Sequence, residues 1–339
     1  MAIIKLQGEA EKRNHICYQF NSEEPPIGEG GMGKVFKGVC VDERTGVSRP
    51  VAIKFMFDDL PANAYERARR EAEIQLRNDN LVEMLGFIEI SDRNNVGEVV
   101  THYHVVSELL TGVSLSDILN GKTQDRNGQD VPFAVKLLTD YKKDPERFAK
   151  VVVMNVLSGL MALHDAGYIH RDIDPSNIMV TTDEQFHEVY LIDFGAVAHP
   201  QKRDGGSTVA GTFGYMPPEQ IFGNIAIQSD FYALGATMLH MLTGIFPGEI
   251  SAQVYQIDVP AILREKAPDA SPNMTALLAS MLSADIDKRP PTAEQLCKSL
   301  DHVLAYPKDG FWQKISEKFA AMDNQSHRMM RSPKLLISF

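Results

Sequence analysis

The order of its segments constrains this 339-residue chain most, because strand-like patterns come first and helical patterns follow. Residues 16–60 contain apolar runs separated by glycine-rich and polar turns, and strand-like patterning resumes at 81–90 and 101–110. A single helix, predicted over 63–77 from its Glu, Arg and Ala content, interrupts the strands. We therefore expect the first part of the chain to form a small, sheet-rich lobe with one main helix.

Beyond residue 112 the pattern is mostly helical. Two polar stretches between helices, 121–130 and 142–145, are predicted to be loops. A run of strands followed by a run of helices favours two lobes in an α+β fold, with a small lobe over 1–110 and a larger helical lobe over 111–305. The helices of the larger lobe are predicted at 114–120, 146–165, 217–222, 228–243, 273–283 and 292–304.

The two ends of the chain carry weaker signals. Residues 1–15 are expected to add a strand to the small lobe. Residues 306–339 contain Trp312, Ile315 and Phe319 at helical spacing, and such an apolar stripe usually packs against a core. We therefore expect this C-terminal tail to form a helix that docks on the larger lobe.

Composition and charge narrow the class of protein. A hydrophobic content of 44% with 23% charged residues is typical of a globular chain, and a formal net charge of -11 argues against a general nucleic-acid binder. Cys17, Cys40 and Cys297 lie too far apart in sequence to indicate a disulfide framework or a zinc site. No apolar run is long enough to span a bilayer, and residues 1–9 become polar too soon for a secretory signal. These features predict a cytoplasmic protein without a membrane span.

The strongest chemical signal is a pair of short acidic motifs. Residues 170–177 read HRDIDPSN, and DFG follows at 193–195. Asp172 could accept a proton from a hydroxyl, whereas Asn177 and Asp193 offer the hard oxygen ligands that suit Mg²⁺. Such a set is suited to transferring a phosphoryl group from a nucleotide to an alcohol.

A glycine-rich motif, GEGGMGKV, precedes them at residues 28–35. Glycines let backbone N–H groups approach phosphate oxygens closely. A Walker A loop requires a hydroxyl where Val35 stands, and a dinucleotide-binding loop should open a helix, yet strand-like residues 35–41 follow. A hairpin of the form GxGxxGxV fits at every position. Taken alone, the motif is also consistent with an ordinary glycine-rich turn.

Together these motifs resemble those of the eukaryotic-like (Hanks-type) serine/threonine protein kinase family. The resemblance covers about residues 20–305 and includes VAIK at 51–54 and GTFGYMPPE at 211–219, which is similar to the end of an activation segment. It implies a bilobal protein-kinase-like fold, with ATP and Mg²⁺ as cofactors. Small-molecule phosphotransferases that share the two lobes usually lack the 211–219 segment, so the resemblance favours a protein substrate.

The resemblance also implies a role for each catalytic residue. Asp172 would accept the proton of the substrate hydroxyl, and Lys54 would hold the α- and β-phosphates while pairing with a glutamate on the next helix. Glu71 and Glu73 compete for that pairing, and we choose Glu71. The implied catalytic residues are Lys54, Glu71, Asp172, Asn177 and Asp193, of which Asn177 and Asp193 would bind the metal.

The nucleotide would bind between the lobes. Backbone groups of Glu108 and Leu110 would contact the adenine edge, with Ser107 as the gatekeeper and Met179 as the floor of the pocket. The nucleotide-binding residues that the resemblance implies are Ile27, Gly28, Glu29, Gly30, Gly31, Gly33, Val35, Ala52, Lys54, Glu108, Leu110 and Met179.

Four residues further along would organise the larger lobe around the site. Glu219 would pair with Arg289 in the bidentate geometry that arginine and carboxylate favour. Asp230 would brace the backbone of the catalytic loop. Thr212 stands where serine/threonine-directed members of the family keep a threonine close to the catalytic aspartate, which favours a serine or threonine acceptor.

One residue departs from the family pattern. Asp174 stands where the family usually has a lysine, whose charge offsets that of the transferring phosphate. A carboxylate cannot do so, and it repels the γ-phosphate unless a cation intervenes. Two hypotheses remain open: an active serine/threonine kinase that also phosphorylates itself, and a pseudokinase that binds nucleotide and regulates partners as a scaffold.

The sequence also predicts a regulatory modification. Thr208 lies four residues before Thr212, next to Ser207 in a glycine-containing stretch. A phosphate on Thr208 or Ser207 would add negative charge and strong acceptor oxygens. The resemblance implies that Arg171, which directly precedes the catalytic aspartate, would bind this phosphate and order the activation segment.

Overall fold

The computed structural model describes residues 3–93, 96–125, 128–182, 187–198, 211–250 and 257–303. The described residues of the first part of the chain form seven strands: β1 (Ile3–Leu6), β2 (Ile16–Asn21), β3 (Gly28–Gly30), β4 (Gly33–Asp42), β5 (Ser48–Met56), β6 (Met84–Arg93) and β7 (Val99–Glu108). They form one antiparallel sheet in the order β1-β2-β4-β5-β7-β6, and β3 pairs with β4. The strand expected within residues 1–15 is β1, at the edge of this sheet.

The alternation of side chains along β5 explains how the sheet serves both a core and a site. Val51 and Ile53 point into a small apolar core, where they pack with Phe20 and other buried side chains. Successive side chains of a strand point to opposite faces, so Ala52 and Lys54 point to the other face, towards the larger lobe. The sheet therefore presents a lysine to the space between the lobes.

The larger lobe is mostly helical, as predicted. The described part of the small lobe adds two helices, α1 (Glu9–Asn14) and α2 (Ala62–Ala72). The helices of the larger lobe are α3 (Leu115–Leu119), α4 (Pro132–Lys143), α5 (Pro145–Asp165), α6 (Pro218–Ile221), α7 (Ile227–Thr243), α8 (Pro247–Ile250), α9 (Val259–Lys266), α10 (Pro272–Met281) and α11 (Ala293–Val303).

The long helix α5 lies at the centre of the larger lobe, in contact with α7 and α11. It is the one helix of the described ranges that is long and apolar enough to cross a membrane by length and composition alone. However, 72% of its most apolar window is buried inside the lobe. Its composition is therefore that of a core helix.

A three-stranded sheet and a crossing segment join the lobes behind the site. The strands are β8 (Val113–Ser114), β9 (Ile178–Thr182) and β10 (His187–Leu191). Although it belongs to the strand-rich first part of the sequence, the segment around Leu81 packs on this sheet. The N–H of Val82 donates to the carbonyl oxygen of Leu191 at 3.1 Å, and the amide of Asn80 donates to that of Val189 at 2.9 Å. These bonds fix the end of β10 to the small lobe.

The structure corrects several local predictions. The helix predicted over 63–77 ends at Ala72, because Ile74 is buried in the core and its N–H donates to Glu71 in a turn. Tertiary packing overrides a helical composition there. Four of the described helices were not predicted from the sequence: α1, α4, α8 and α9.

The stretch 142–145 is not a loop. Lys142 and Lys143 end α4, and Pro145 already begins α5. A proline at the first helical position loses no hydrogen bond, and the carboxylate of Asp144 accepts the N–H of Arg147 at 2.9 Å. One capping residue therefore suffices to separate the two helices. The predicted bilobal α+β arrangement itself is confirmed, while the tail 306–339 lies outside the described residues.

Candidate active site

A cleft of about 250 Å³ lies between the two lobes. Its walls are largely apolar, and Lys54, Glu71 and Asp193 lie together at one end, which suits a nucleotide. Ten residues of the predicted site line it: Ile27, Gly28, Val35, Ala52, Lys54, Glu71, Glu108, Leu110, Met179 and Asp193. Ser107, the predicted gatekeeper, lines it as well. Five further lining residues were not predicted: Val82, Met84, Val105, Leu109 and Ile192.

The glycine-rich segment forms a hairpin between β3 and β4. Gly28 pairs with Val35, and residues 29–31 form the exposed tip. Gly33 passes so close to β5 that a Cβ atom there would lie 2.0 Å from the carbonyl oxygen of Phe55, so no larger residue fits. Because a strand follows the glycines, the structure supports the hairpin interpretation over a dinucleotide-binding loop.

Lys54 lies at the charged end of the cleft. The strand register places Val35, Lys54 and Val105 side by side on β4, β5 and β7. The ammonium of Lys54 lies 3.1 Å from a carboxylate oxygen of Asp193. The direct pairing of Lys54 with Glu71 is not present in the described structure, because Asp193 lies nearer and one Glu71 oxygen accepts the N–H of Phe194 at 3.3 Å.

Burial separates the two glutamates that compete for the site. Glu71 is 4% exposed and lines the cleft, whereas Glu73 is exposed to solvent. Burial raises the pKa of Glu71 to about 7, although the charge of Lys54 opposes the shift. Burial also disfavours the charge of Lys54, but Asp193 and Glu71 outweigh it and raise the pKa of Lys54 above its ordinary value. Lys54 therefore stays charged while Glu71 titrates near neutral pH.

Replacing Glu71 with glutamine should change how stability depends on pH. Since the pKa of Glu71 in the folded protein, about 7, lies above its ordinary value of 4.5, the folded state binds more protons between these values, and wild-type stability falls as the pH rises through them. Relative to Glu71→Gln, the wild-type free energy of unfolding should fall by about 3 kcal/mol between about pH 4 and 8. Denaturant unfolding measures it, with the exposed Glu73→Gln as control. Parallel pH profiles for wild type and Glu71→Gln would contradict this assignment.

A buried aspartate braces the loop that carries Asp172. The carboxylate of Asp230 accepts the backbone N–H groups of His170, at 2.9 Å, and Arg171, at 2.8 Å. Arg171 has a φ of +70°, which the two bonds help to hold. His164, which the sequence analysis did not single out, lies 2.8 Å from the same carboxylate.

The register of β9 and β10 brings Asn177 and Asp193 together. Ile178 pairs with Leu191, and the next residue, Ile192, donates its N–H to the carbonyl oxygen of Asn177 at 2.9 Å. The two candidate metal ligands therefore leave neighbouring strands at the same end. The sequence places them sixteen residues apart, and the hairpin of β9 and β10 closes that separation.

The donor atoms at this end fit Mg²⁺. The amide nitrogen of Asn177 donates to the carbonyl oxygen of Asp172 at 2.9 Å, which leaves the amide oxygen as the possible ligand. Burial would raise the pKa of Asp193, but Lys54 and the N–H of Gly195 outweigh it and hold that pKa below its usual range. One neutral and one anionic hard oxygen donor are thus available.

Asp172 contacts Thr212, which lies in the candidate activation segment 211–219. The hydroxyl of Thr212 lies 2.8 Å from an oxygen of Asp172 and 2.7 Å from an oxygen of Asp174. Burial raises the pKa of Asp172, the Thr212 hydrogen bond opposes the shift, and the charge of Asp174 adds to it. A carboxylate with a raised pKa is a more effective acceptor for the proton of a substrate hydroxyl.

The candidate activation segment contacts the candidate catalytic loop through Gln220, a residue that was not predicted from the sequence. The amide of Gln220 donates to the carbonyl oxygen of Arg171 at 2.7 Å. Gly211 has a φ of +118°, and a Cβ atom there would lie 2.8 Å from the same oxygen. Gln220 adds nothing to hydrophobic periodicity, so no pattern in the sequence indicated it. The predicted phosphorylation sites, Ser207 and Thr208, lie outside the described residues.

Glu219 and Arg289 form the ion pair that the sequence analysis predicted. One guanidinium nitrogen of Arg289 lies 2.6 Å from one Glu219 oxygen, and the second nitrogen lies 2.9 Å from the other. Arg289 is buried, and its guanidinium also lies over the ring of Tyr232. The pair ties the end of the activation segment to the base of the larger lobe.

Comparisons with known proteins agree with this geometry. A family model described as the protein kinase domain matches residues 21–300. The chain is 31% identical over 291 residues to the serine/threonine-protein kinase pkn2 of Myxococcus xanthus, covering 81% of this chain and 31% of that protein. It is 30% identical over 304 residues to pkn3 of the same organism, a serine/threonine-protein kinase, covering 85% and 50%. It is 29% identical over 303 residues to the probable serine/threonine-protein kinase pknA2 of Bifidobacterium longum, covering 85% and 35%. The matched regions thus span from about a third to half of these relatives.

Proposed function

This chain belongs to the protein kinase family, and we propose that it transfers the γ-phosphoryl group of ATP to serine or threonine hydroxyls of protein substrates. The Lys54–Asp193 ion pair at the charged end of the cleft, with Asp172 close by on the neighbouring loop, carries the proposal. The Lys54–Asp193 ion pair lies on the cleft wall. Asp172 is near enough for its charge to act on both residues.

Each residue has a separate task in the proposed reaction. Backbone groups of Glu108 and Leu110 orient the adenine at the far end of the cleft, and the charge of Lys54 stabilises the phosphates. Asn177 and Asp193 would hold Mg²⁺, which supplies positive charge at the phosphate oxygens when bound. Asp172 accepts the proton of the attacking hydroxyl.

The choice of serine or threonine as the acceptor rests on two supports. First, Thr212 contacts Asp172 directly. The resemblance implies that a threonine in this position goes with a serine or threonine acceptor. Second, the relatives named above carry serine/threonine-protein kinase in their names. We extend the proposal to autophosphorylation of Thr208 or Ser207 and to a cytoplasmic site of action.

A nucleotide-binding scaffold without activity is the second candidate. The observation that favours it is Asp174, a carboxylate next to the catalytic one where the family usually has a lysine. Such a protein would bind ATP in the same cleft and would transfer nothing.

Incubation of the purified chain with labelled ATP, Mg²⁺ and a generic protein substrate decides between the two. We expect label on serine and threonine of wild type, located by mass spectrometry, and at least a 10³-fold lower rate for Asp193→Ala, on the order of the loss of an essential electrostatic group. Asp165→Ala, at an exposed position beyond the cleft, should keep the wild-type rate. Label in neither wild type nor Asp165→Ala, with ATP bound by both, would establish the scaffold instead.

A further inference from the structure

The carboxylate of Asp174 is buried, and both of its oxygens accept hydrogen bonds. The residue is only 3% exposed. One of its oxygens accepts the N–H of Ser176 at 2.6 Å and also the hydroxyl of that residue. The other oxygen accepts the hydroxyl of Thr212 at 2.7 Å and lies 3.4 Å from the amide nitrogen of Asn177. Within the described part of the chain, hydrogen-bond donors therefore satisfy both oxygens, which is what a buried carboxylate needs.

These contacts reach both parts of the proposed catalytic machinery. The bonds to Ser176 cap the single helical turn Pro175–Asn177, which carries the candidate metal ligand. The bond to Thr212 ties down the activation segment, and the same hydroxyl contacts Asp172. A lysine has no acceptor and could form neither the cap nor the bond from the threonine hydroxyl.

We infer that Asp174 is a positioning residue, which fastens the Asn177 turn and the activation segment to the catalytic loop by hydrogen bonds. It acts on the reaction through Thr212 and Asn177 and touches neither nucleotide nor substrate. The inference rests on the proposed kinase function for its kinetic consequence. The hydrogen bonds of Asp174 would hold the catalytic loop in place in a chain that lacks the lysine usual in the family.

The hydroxyl of Thr212 makes the inference specific. A hydroxyl has one hydrogen and can donate it to one carboxylate at a time, yet Asp172 and Asp174 both lie within hydrogen-bond distance. An asparagine at 174 would keep an oxygen for Ser176 and could offer its amide hydrogen to Thr212. Thr212 would then donate to Asp172. The inferred role therefore needs the shape and acceptor of Asp174 and not its charge.

The kinetic test compares Asp174→Ala, Asp174→Asn and Asp174→Lys. Misplacement of catalytic groups by about 1 Å costs about 10²-fold, so the alanine and lysine variants should lose between about 10- and 100-fold in kcat, with the KM for ATP changed by less than about 3-fold. The asparagine variant should stay within about 3-fold of wild type. The double variant Asp174→Ala with Thr212→Val should lose less kcat than the product of the two single losses, because both substitutions remove the contact between these two side chains.

The matched control is Asp285→Ala. Asp285 caps the short helical turn Ile286–Lys288 in the same way, accepting the N–H of Asp287 at 3.2 Å, but it is exposed at the base of the larger lobe. Its replacement should leave kcat unchanged. If kcat fell equally in Asp174→Ala and Asp285→Ala, the loss would reflect a general need for capped turns and would contradict a specific role for Asp174.

Hydrogen exchange tests the inference even if the chain transfers no phosphate. The N–H of Ser176 and those of residues 211–216 should exchange at least about 10-fold faster in Asp174→Ala than in wild type, and at the wild-type rate in Asp174→Asn. Unchanged exchange in the alanine variant would overturn the inference. A higher kcat in Asp174→Lys than in wild type would also overturn it. If Asp174→Asn lost as much kcat as Asp174→Ala and needed more Mg²⁺, Asp174 would be a metal ligand and not a positioning residue.

Discussion

Asp172→Asn should lower kcat for phosphoryl transfer by about 10²- to 10⁴-fold without unfolding the protein. The asparagine keeps the size of the side chain and can still contact Thr212, but it cannot accept the proton of the substrate hydroxyl. The hydrogen bonds that brace the loop come from Asp230 and the backbone of residues 170 and 171, so they survive the change. Steady-state kinetics with a protein substrate, together with thermal unfolding, measure both parts of the expectation.

Lys54→Met should cause a similar loss of phosphoryl transfer, because it removes a charge that stabilises the nucleotide phosphates. Methionine keeps most of the volume of the lysine stem but removes the charge that faces Asp193 and the phosphates. Its effect should appear in the KM for ATP as well as in kcat, whereas that of Asp172→Asn should appear in kcat alone. The control for both is Asp165→Asn, an exposed carboxylate outside the cleft. Wild-type turnover in Asp172→Asn would show that the catalytic loop has been assigned wrongly.

The sequence was sufficient to predict the parts of the site that depend on spacing along the chain. The hairpin of β3 and β4 was predictable because strand-like residues follow the glycines. A dinucleotide-binding loop would require a helix at that position. The choice of Glu71 over Glu73 selected the carboxylate that lines the cleft, since Glu71 is buried in the last turn of α2 whereas Glu73 follows the helix and is exposed.

The partner of Lys54 could not be predicted in the same way. From the sequence, Lys54 was expected to pair with Glu71, whereas the ion pair in the described structure is with Asp193. Which carboxylate lies nearest depends on how the end of β10, in the larger lobe, sits against Lys54 and Glu71 in the small lobe, and no pattern along the chain encodes that placement. The same holds for Gln220, whose partner is a backbone carbonyl.

Asp174 shows a different limit. From the sequence alone it could be judged only as a missing lysine, because the family pattern describes a charge that is absent. The structure supplies the donors that surround it: Ser176, Thr212 and Asn177. A buried carboxylate is understood from its partners, and these come from two segments that are distant along the chain.

The largest effect on stability should follow from replacing Arg289. Its guanidinium donates to both oxygens of Glu219 and to the carbonyl oxygens of Ser283, at 2.8 Å, and Gln228, at 3.2 Å. The arginine side chain of the pair is fully buried, while Glu219 is 16% exposed. Removing one partner of a buried ion pair leaves the other without compensation, at a cost of about 3–5 kcal/mol.

Arg289→Met should therefore lower the free energy of unfolding by about 3–5 kcal/mol, measured by denaturant unfolding. Arg289→Lys should be almost as damaging, because an ammonium cannot bond to both Glu219 oxygens and reach two carbonyl groups at once. Combining Arg289→Met with Glu219→Leu should restore part of the loss, since no unpaired charge is then left buried. Arg264→Met, at an exposed position on α9, should change stability by less than about 0.5 kcal/mol. A loss below about 1 kcal/mol in Arg289→Met would mean that solvent reaches Glu219 once the arginine is gone, and that the pair positions the activation segment without stabilising the lobe.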